Sequence, residues 1–272
     1  MIKIQCHACF KARKIALAIT MVCFNISQAE CMEHKVHDQT IEQTFSDPNA
    51  AALARAACDG QAETIAKLVR SGINIDDQDK NFVTPLMWAV NCESLVGIEA
   101  LLRAGANPNL RTHNSSETAV LAASTYRNAA ILKLILKYGG DPNDRYAIGH
   151  GVDTAFSNAL HRGIWENNWE HYYNLLDAGL DLNRADSQGE TPVVLANNLN
   201  QLERVAEMLE RGYHYNLNYL GYSVYDRTDL TPRFEAAREK VITLLRMRGV
   251  KFPVKPVPYP ETEEEARKFG PH

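Results

Sequence analysis

The sequence has no apolar run long enough to span a membrane as a helix. Its most apolar stretch, residues 15–26, holds 12 residues, whereas a transmembrane helix needs about 20. Four basic residues and no acidic residue precede this stretch, and the small residues Ser27 and Ala29 follow it. This layout predicts a cleavable secretory signal over residues 1–29, with a retained membrane anchor as the alternative. We therefore expect an exported protein, with the periplasm as its destination and no stable membrane anchor after cleavage.

An excess of basic residues is also missing. The 29 lysine and arginine residues are outnumbered by 33 aspartate and glutamate residues, which gives a formal net charge of −4. Residues 1–29 carry four positive charges and no negative one, so their removal lowers the net charge from −4 by four, to −8. The rest of the chain has no basic stretch that could neutralise phosphates. Nucleic acid and anionic membrane surfaces are therefore excluded as expected partners.

Two landmarks recur along the chain. One is a glycine that follows an apolar run and precedes Asn, Asp or a similar residue, and the other is a threonine that opens the next apolar run. The glycines are separated by 33, 34, 40 and 33 residues. Periods of this length indicate a stack of repeated supersecondary units. The glycines are Gly72, Gly105, Gly139, Gly179 and Gly212, and the threonines are Thr84, Thr118, Thr154 and Thr191.

Each landmark has a physical role in a pair of helices. Threonine caps the first helix, and the proline that follows Thr84 and Thr191 fits the first turn, where no backbone donor is needed. Glycine permits the left-handed turn that ends the second helix. Small residues five positions after the threonines allow close helix packing, and apolar pairs before the glycines supply a shared core. These are Ala89, Ala123, Ala159 and Ala196, and Leu101, Leu102, Ile135, Leu136, Leu175, Leu176, Met208 and Leu209.

This pattern resembles the ankyrin repeat, in which Thr-Pro-Leu-His opens the first helix and Gly-Ala-Asp-x-Asn leads into a hairpin loop. The match is close at residues 79–111 and 186–218 and looser at 112–145 and 146–185. The resemblance implies an all-α fold, an α-solenoid of about six ankyrin-type helix-turn-helix repeats with hairpin loops, over residues 47–252.

The unit at residues 146–185 departs most from the pattern. Its loop before Thr154 and its turn around Gly163 to Asn168 are predicted to be lengthened. The flanks of the array also differ from it. Residues 30–46 are predicted to be a flexible polar leader, and residues 253–272 a proline-rich acidic tail. The proline run of the tail predicts extended chain that packs along the last repeat or hangs free, with a role as the ligand of another domain as the alternative.

No group of residues in the sequence indicates catalysis. Glu166, Glu170 and His171 lie close together, but no nucleophile with an ordered base accompanies them. Cys31, His34, His37 and Asp38 are residue types that bind metals, yet the polar leader offers nothing to orient them. We therefore expect no enzymatic activity, no cofactor and no metal site.

Three cysteines, Cys31, Cys58 and Cys92, lie outside the predicted signal, and two of them can pair in an oxidising compartment. The repeat register places Cys58 and Cys92 at nearly equivalent points on successive inner helices, roughly 10 Å apart. A disulfide joins Cα atoms no more than about 7 Å apart. The sequence therefore predicts that Cys31 pairs with Cys58.

The resemblance implies a concave binding face, formed by the hairpin tips and by the exposed ends of the inner helices. Tyrosine, tryptophan and arginine dominate the binding energy of protein interfaces, although aromatic residues also fill gaps between loops. The enlarged unit at 146–185 is the main candidate, because insertions in repeat arrays often carry function. The predicted partner-binding residues are Lys80, Asn81, Asn91, His113, Asn114, Tyr126, Tyr146, His150, Arg162, Trp165, Ser187, Gln188, Asn198, Tyr219 and Tyr222.

These features together predict an exported, monomeric, non-catalytic module that binds one protein partner on its concave face. Exported bacterial ankyrin proteins that the chain resembles include members suspected of neutralising secreted toxins, so an immunity protein or inhibitor is the sharpest form of this hypothesis. The alternative is a structural or maintenance factor of the cell envelope that binds peptidoglycan or a small ligand in the enlarged unit.

Overall fold

The computed structural model describes residues 35–36, 39–79, 82–112, 117–148, 151–185, 190–227 and 231–254, with the backbone alone at some of these positions. Six successive helix pairs fill these ranges, so the predicted all-α solenoid of about six units is confirmed. The inner helices are α2 (Pro48–Cys58), α4 (Pro85–Asn91), α6 (Ala119–Thr125), α8 (Ala155–Glu166), α10 (Pro192–Asn198) and α12 (Leu217–Tyr225). The outer helices are α3 (Ala62–Arg70), α5 (Leu95–Arg103), α7 (Ala129–Lys137), α9 (Glu170–Asp177), α11 (Leu202–Glu210) and α13 (Pro232–Met247).

The predicted threonine caps are present in three of the units. The side chains of Thr84, Thr118 and Thr191 each accept a hydrogen bond from the backbone N–H three residues later. This bond satisfies one of the donors that the first turn of a helix leaves unpaired. Thr154 ends a short antiparallel hairpin of β3 (Arg145–Ile148) and β4 (Gly151–Thr154), which forms the lengthened loop of the fourth unit.

The predicted glycines all adopt the left-handed conformation that ends the outer helices, with φ between 89° and 106°. Beyond the first four of these turns, an Asn or Asp side chain accepts a hydrogen bond from the backbone of the next unit. For example, Asn109 Oδ1 accepts from Asp141 N at 2.9 Å, and Asn143 Oδ1 accepts from Asp181 N at 2.7 Å. The Gly-x-Asx-x-Asx pattern therefore both ends one unit and fastens it to the next.

The core runs through all six units. The four predicted alanines of the inner helices are fully buried, and so are most of the predicted apolar pairs, with Leu136 only partly buried. Burial of this kind stabilises a repeat only when its neighbours are present, because one helix pair has too little apolar surface to share. Among the described residues, no helix has the length and apolar character needed to cross a membrane.

The N-terminal end of the array begins earlier than predicted. Strands β1 (Lys35–Val36) and β2 (Gln39–Thr40) lead into α1 (Ile41–Thr44), whose first turn carries a capping box between Thr40 and Gln43. Ile41 and Phe45 are buried against the first unit and against Trp88. The assignment of a flexible leader up to residue 46 is therefore wrong from β2 onward, because two large apolar side chains four positions apart anchor this segment.

The predicted disulfide between Cys31 and Cys58 is also wrong. Cys58 bonds to Cys92, with the two Cα atoms 5.4 Å apart. Cys58 ends α2 and Cys92 caps α4, where fully buried alanines such as Ala57 and Ala89 face the helix contacts. Small side chains allow the two helices to approach more closely than one helix diameter, and this approach is what the prediction missed. Cys31, like the other leader residues His34, His37 and Asp38, lies outside the described residues.

Candidate functional site

The fourth unit differs from its neighbours in the length of its inner helix. Helix α8 has 12 residues, whereas α4, α6 and α10 have 7 each. Thr154 and Thr118 precede α8 and α6 in the same register, so the additional residues of α8 lie at its C-terminal end. At 1.5 Å per residue, the last five residues extend the helix by about 7 Å beyond its neighbours.

This extension carries a largely exposed tryptophan and forms one wall of a groove. The side chain of Trp165 is 81% exposed, and the groove between α6 and α8 encloses about 380 Å³. Asn158, His161, Arg162 and Trp165 follow the i, i+3, i+4, i+7 spacing of one helical face, which explains how α8 presents them together. The groove is lined by Ser124, Thr125, Ser157, Asn158, His161, Arg162, Trp165 and Glu166.

Arg162 holds the extension of α8 against the preceding unit. Its guanidinium donates to the backbone oxygens of Ser124, at 3.4 Å, and of Thr125, and it also pairs with Glu166 at 3.2 Å. The two backbone oxygens belong to the C-terminal end of α6, where carbonyl groups lack partners within the helix and favour a cation. With only 13% of its side chain exposed, Arg162 positions the groove more than it offers a contact surface.

The hydroxyl groups of the groove are engaged within the protein. Ser124 Oγ donates to the Leu121 oxygen at 2.6 Å and accepts from Asn158 Nδ2 at 2.8 Å. Thr125 Oγ1 donates to the Ala122 oxygen at 2.7 Å. The groove therefore has a fixed polar floor and an exposed aromatic wall. Within the described ranges, no three His, Cys, Asp or Glu side chains come together in a way that could hold a metal ion.

Tyr126 stands beside the groove and joins the second unit to the third. Its hydroxyl donates to Asn91 Oδ1 at 2.8 Å. Burial, together with the nearby carboxylates of Glu93 and Glu117, raises the pKa of Tyr126 to about 12, so the hydroxyl stays neutral and remains a donor. Two of the predicted binding residues, Asn91 and Tyr126, are thus partners of one another.

A fully buried histidine lies beneath the groove. Neither ring nitrogen of His171 forms a hydrogen bond within the described structure, although the main chain of Tyr126 is close enough to favour the charged ring slightly. Burial lowers the pKa of His171, and the positive charge of Arg162 lowers it further. The imidazole is therefore held in its neutral form.

Residues 27–112 and 53–146 match the family model of ankyrin repeats. Over these residues the chain consists of ankyrin repeats. The match ends at residue 146, but the helix pairs, glycine turns and Asx bonds continue to the last unit, so the ankyrin architecture extends beyond the matched residues. Ankyrin repeats serve as scaffolds that bind protein partners and are typically non-catalytic.

Several curated proteins are similar to parts of the chain. The chain is 28% identical to inversin of Danio rerio over 172 residues, which is 53% of this chain and 17% of inversin. It is 26% identical to an L-asparaginase of Dirofilaria immitis over 208 residues, or 76% of this chain and 32% of that protein. It is 31% identical to a putative ankyrin repeat-containing protein of Treponema pallidum (strain Nichols) over 91 residues, 33% of this chain and 30% of that protein.

The chain thus spans about a third or less of each of these relatives. The likeness to the L-asparaginase is partial and covers the length of a repeat array, so it transfers no activity to this ankyrin protein.

The structure brings the predicted ankyrin face together only in part. Arg162 and Trp165 line one groove, and Asn91 contacts Tyr126. Asn198 lies in the next unit, where its Nδ2 donates to Glu190 Oε1 at 3.0 Å, and Tyr219 and Tyr222 are half-buried on α12. Tyr146 lies on β3, where the backbone alone is described. Seven predicted residues lie outside the described part of the chain: Lys80, Asn81, His113, Asn114, His150, Ser187 and Gln188.

The polar half of the groove was not predicted from the sequence. Ser124, Ser157 and Asn158 were not among the predicted binding residues, yet all three line it. The face of α8 that carries these residues was not recognised because Gly163 was interpreted as part of a lengthened turn. In the structure, α8 continues to Glu166. Gly163 is needed within the helix because a Cβ there would stand 2.3 Å from the ring of Trp169.

Proposed function

We propose that this chain is an exported protein-binding module whose partner contacts the extended end of α8. The observation that carries the proposal is the 81% exposure of Trp165 on a helix that is longer than its neighbours. A large aromatic side chain in water offers apolar area and cation–π contact, and tryptophan is enriched among the residues that dominate interface energies. The fixed floor set by Arg162 and Ser124 means that little ordering is required when the partner binds.

Two features support export. Residues 1–29 have the layout of a cleavable secretory signal, and Cys58 and Cys92 form a disulfide. Disulfides persist in oxidising compartments such as the periplasm and are rare in the cytosol. Fractionation of cells that express the full chain tests this part. Recovery in the periplasmic fraction, without residues 1–29 and with Cys58 and Cys92 oxidised, is expected, whereas a cytosolic reduced protein contradicts it.

The sharper form of the proposal is an immunity protein or inhibitor of a secreted toxin. A non-catalytic binder acts by occupying the surface of its partner, and export places it where secreted proteins arrive. Support for this role is the combination of location and family. The toxin partner is expected to be encoded beside this chain, so that the two are made together.

A glycan or small-ligand site in the fourth unit is less well supported. Such a site needs polar groups that are buried beside aromatic rings and are available to the ligand. In the groove, Ser124 and Thr125 already donate to backbone oxygens of α6. The exposed ring of Trp165 and the open groove favour the broad surface of a protein.

The proposal is tested by binding of the purified chain to the products of its neighbouring genes, measured by calorimetry. Loss of the Trp165 side chain in Trp165→Ala is expected to weaken the complex about 30-fold or more, the effect of losing an interface residue worth about 2 kcal/mol. Met247→Ala is the matched control, because Met247 is 77% exposed but lies on α13, in the last unit of the array.

The control should bind as tightly as the parent. If Trp165→Ala and the parent bind the partner with equal affinity, the end of α8 is not part of the interface. Both substitutions change exposed side chains, so both variants are expected to fold, which near-ultraviolet circular dichroism checks.

A further inference from the structure

In units two to four, the residue eight positions after the threonine that precedes the inner helix ties that helix to the preceding one. In unit two this residue is Cys92, which bonds to Cys58, the last residue of α2. In unit three it is Tyr126, whose hydroxyl donates to Asn91 Oδ1, on the last residue of α4. In unit four it is Arg162, which donates to backbone oxygens at the end of α6. Three different chemistries therefore serve the same contact, the end of the preceding inner helix.

The end of α8 is the first in this series without such a tie. Leu199 has the corresponding position in unit five, and its side chain, which packs partly buried against the core, has no polar group. The last carbonyl groups of a helix have no partner within the helix. At the end of α8, the backbone oxygens of Ile164, Trp165 and Glu166 accept no hydrogen bond from any residue that the structure describes. These acceptors are left for water or for a partner.

Arginine is the residue that the chain itself places at helix ends of this kind. Arg162 donates to the end of α6, and Arg227 donates to the backbone oxygen of Asn197 near the end of α10. Arg238 donates to the last two backbone oxygens of α12, at 3.1 and 2.8 Å. The C-terminal end of a helix carries a partial negative charge, and the guanidinium fork can donate to two oxygens at once. The inner helices α6, α10 and α12 thus share one kind of cap, which no described residue supplies to α8.

The end of α12 also shows how an aromatic side chain takes part in this cap. While Arg238 donates to the Tyr225 oxygen, its guanidinium lies 5.9 Å from the centre of the Tyr225 ring. Tyr225 is the last residue of α12, and Trp165 is the next to last residue of α8. Trp165 is 81% exposed and has no ring or cation contact with any described residue. Helix α8 therefore presents the same two groups, backbone oxygens and an aromatic ring, to a guanidinium from outside the array.

The charges around Trp165 permit a further cation. Glu166 pairs with Arg162 at 3.2 Å and lies 3.7 Å from Arg127, and Glu170 follows in the first turn of α9. Two carboxylates therefore balance two guanidinium groups. Arg162 is held by the end of α6, and Arg127 is 85% exposed, so water and salt screen its charge. The partial negative charge at the end of α8 is thus not cancelled by its neighbours.

We propose that the end of α8 is a receptor for an arginine side chain of the protein partner. The guanidinium donates to the last backbone oxygens of α8 and lies over the indole of Trp165, as Arg238 does at the end of α12. The inference rests on the proposed function, because it names the chemistry that the partner brings to the same surface. Lysine fits less well, because its ammonium group is more strongly hydrated and lacks the planar fork.

Short peptides test the site without knowledge of the natural partner. Blocked peptides of the sequence Gly-Ser-X-Ser-Gly carry arginine, lysine or citrulline, the neutral isostere of arginine, at the position X. Nuclear magnetic resonance follows the indole N–H of Trp165 and the carbonyl carbons of residues 164–166 in the full chain. The arginine peptide is expected to shift both sets of signals saturably and to bind about fivefold more tightly than the other two peptides. The carbonyl carbon of Tyr225, where Arg238 already donates, is the internal control and should not move.

A pair of variants separates the indole from the rest of the surface. Trp165→Ala is expected to weaken binding of the arginine peptide about fivefold, because the cation then has no ring to lie over. Met247→Ala, the exposed control on α13, should bind this peptide as the parent does. The proposal is overturned if the indole signal shifts without the carbonyl carbons, if the three peptides bind with equal affinity, or if no signal shifts saturably.

The natural partner, once known, distinguishes this inference from the proposed function. If Trp165→Ala weakens its binding while replacement of each interface arginine of the partner by alanine does not, the arginine receptor is refuted and the α8 interface stands. If Trp165→Ala binds the partner as tightly as the parent does, the α8 interface is refuted and the arginine receptor with it.

Discussion

The contact between units one and two is held differently from the contact between units three and four. In the first, Cys58 of α2 is covalently bonded to Cys92 at the end of α4, and Gly97 of α5 lies directly on the Ala57 oxygen, where a Cβ would come within 1.8 Å. In the second, polar bonds join α8 to the end of α6, chiefly those of Arg162 and Asn158.

The difference separates a contact held by a covalent bond from a contact held by polar bonds alone. A covalent bond and a backbone contact leave no alternative arrangement, whereas the second contact depends on hydrogen bonds of Arg162 and Asn158 that single substitutions can remove. The exposed Trp165 belongs to the second contact. In this array, the surface best suited to binding lies where the units are held by polar bonds.

Breaking the disulfide is expected to have the largest effect on stability. The bond joins cysteines 34 residues apart in sequence. A crosslink of this length restricts the unfolded chain enough to stabilise the fold by about 3–4 kcal/mol in the chain-entropy account. Cys58→Ser with Cys92→Ser should lower the free energy of unfolding by about this amount, as measured by urea denaturation.

Reduction of the parent by dithiothreitol provides the matched control, because it breaks the same bond without a substitution. The parent with reductant and the double serine variant should unfold at similar urea concentrations. If the double serine variant is as stable as the oxidised parent, the disulfide does not stabilise the contact between units one and two.

Removing Arg162 from the contact between units three and four should lower the free energy of unfolding by a smaller amount. Arg162→Met retains the aliphatic packing but loses charged hydrogen bonds to the end of α6, a loss of about 2 kcal/mol for a poorly exposed group. Arg127→Met is the control, because Arg127 approaches the same Glu166 while its side chain is 85% exposed. Exposed ion pairs contribute less than about 1 kcal/mol. Equal destabilisation by the two substitutions would show that the bonds of Arg162 to α6 do not hold this contact.

The sequence could predict the regular part of the fold because its causes are local. Thr84 caps a helix and Gly105 ends one through bonds to residues a few positions away. The last unit does not show the pattern of a glycine followed by Asx residues. Its Gly249 has a φ of 89° and ends α13 in the same way, but Val250 follows it and no Asx turn does.

What could not be predicted depends on distances between units. The disulfide required that α2 and α4 approach within 5.4 Å at their ends, which the spacing of cysteines does not reveal. The groove required that Gly163 lie within a helix, against Trp169, although glycine usually indicates a turn. The aromatic candidate Trp165 was found from residue type, but its polar neighbours Ser124 and Asn158 depend on how two units pack.

The smallest expected effect concerns His171, which links the second contact to pH. Its pKa is lowered in the folded protein, chiefly by burial and then by Arg162, while Glu166 and Glu170 oppose the shift. The unfolded chain therefore binds a proton at a pH where the folded chain does not, so stability is complete above about pH 6.5 and falls as the pH decreases below it. One pH unit below 6.5, the loss of stability from this one group is at most about 1.4 kcal/mol.

Urea denaturation at several pH values measures this loss of stability. His171→Leu should flatten this dependence, whereas His161→Gln, at an exposed imidazole on α8, should retain it. If the free energy of unfolding of His171→Leu still falls as the pH decreases, the acid sensitivity arises from other groups, and the buried imidazole of His171 does not couple the stability of the fold to pH.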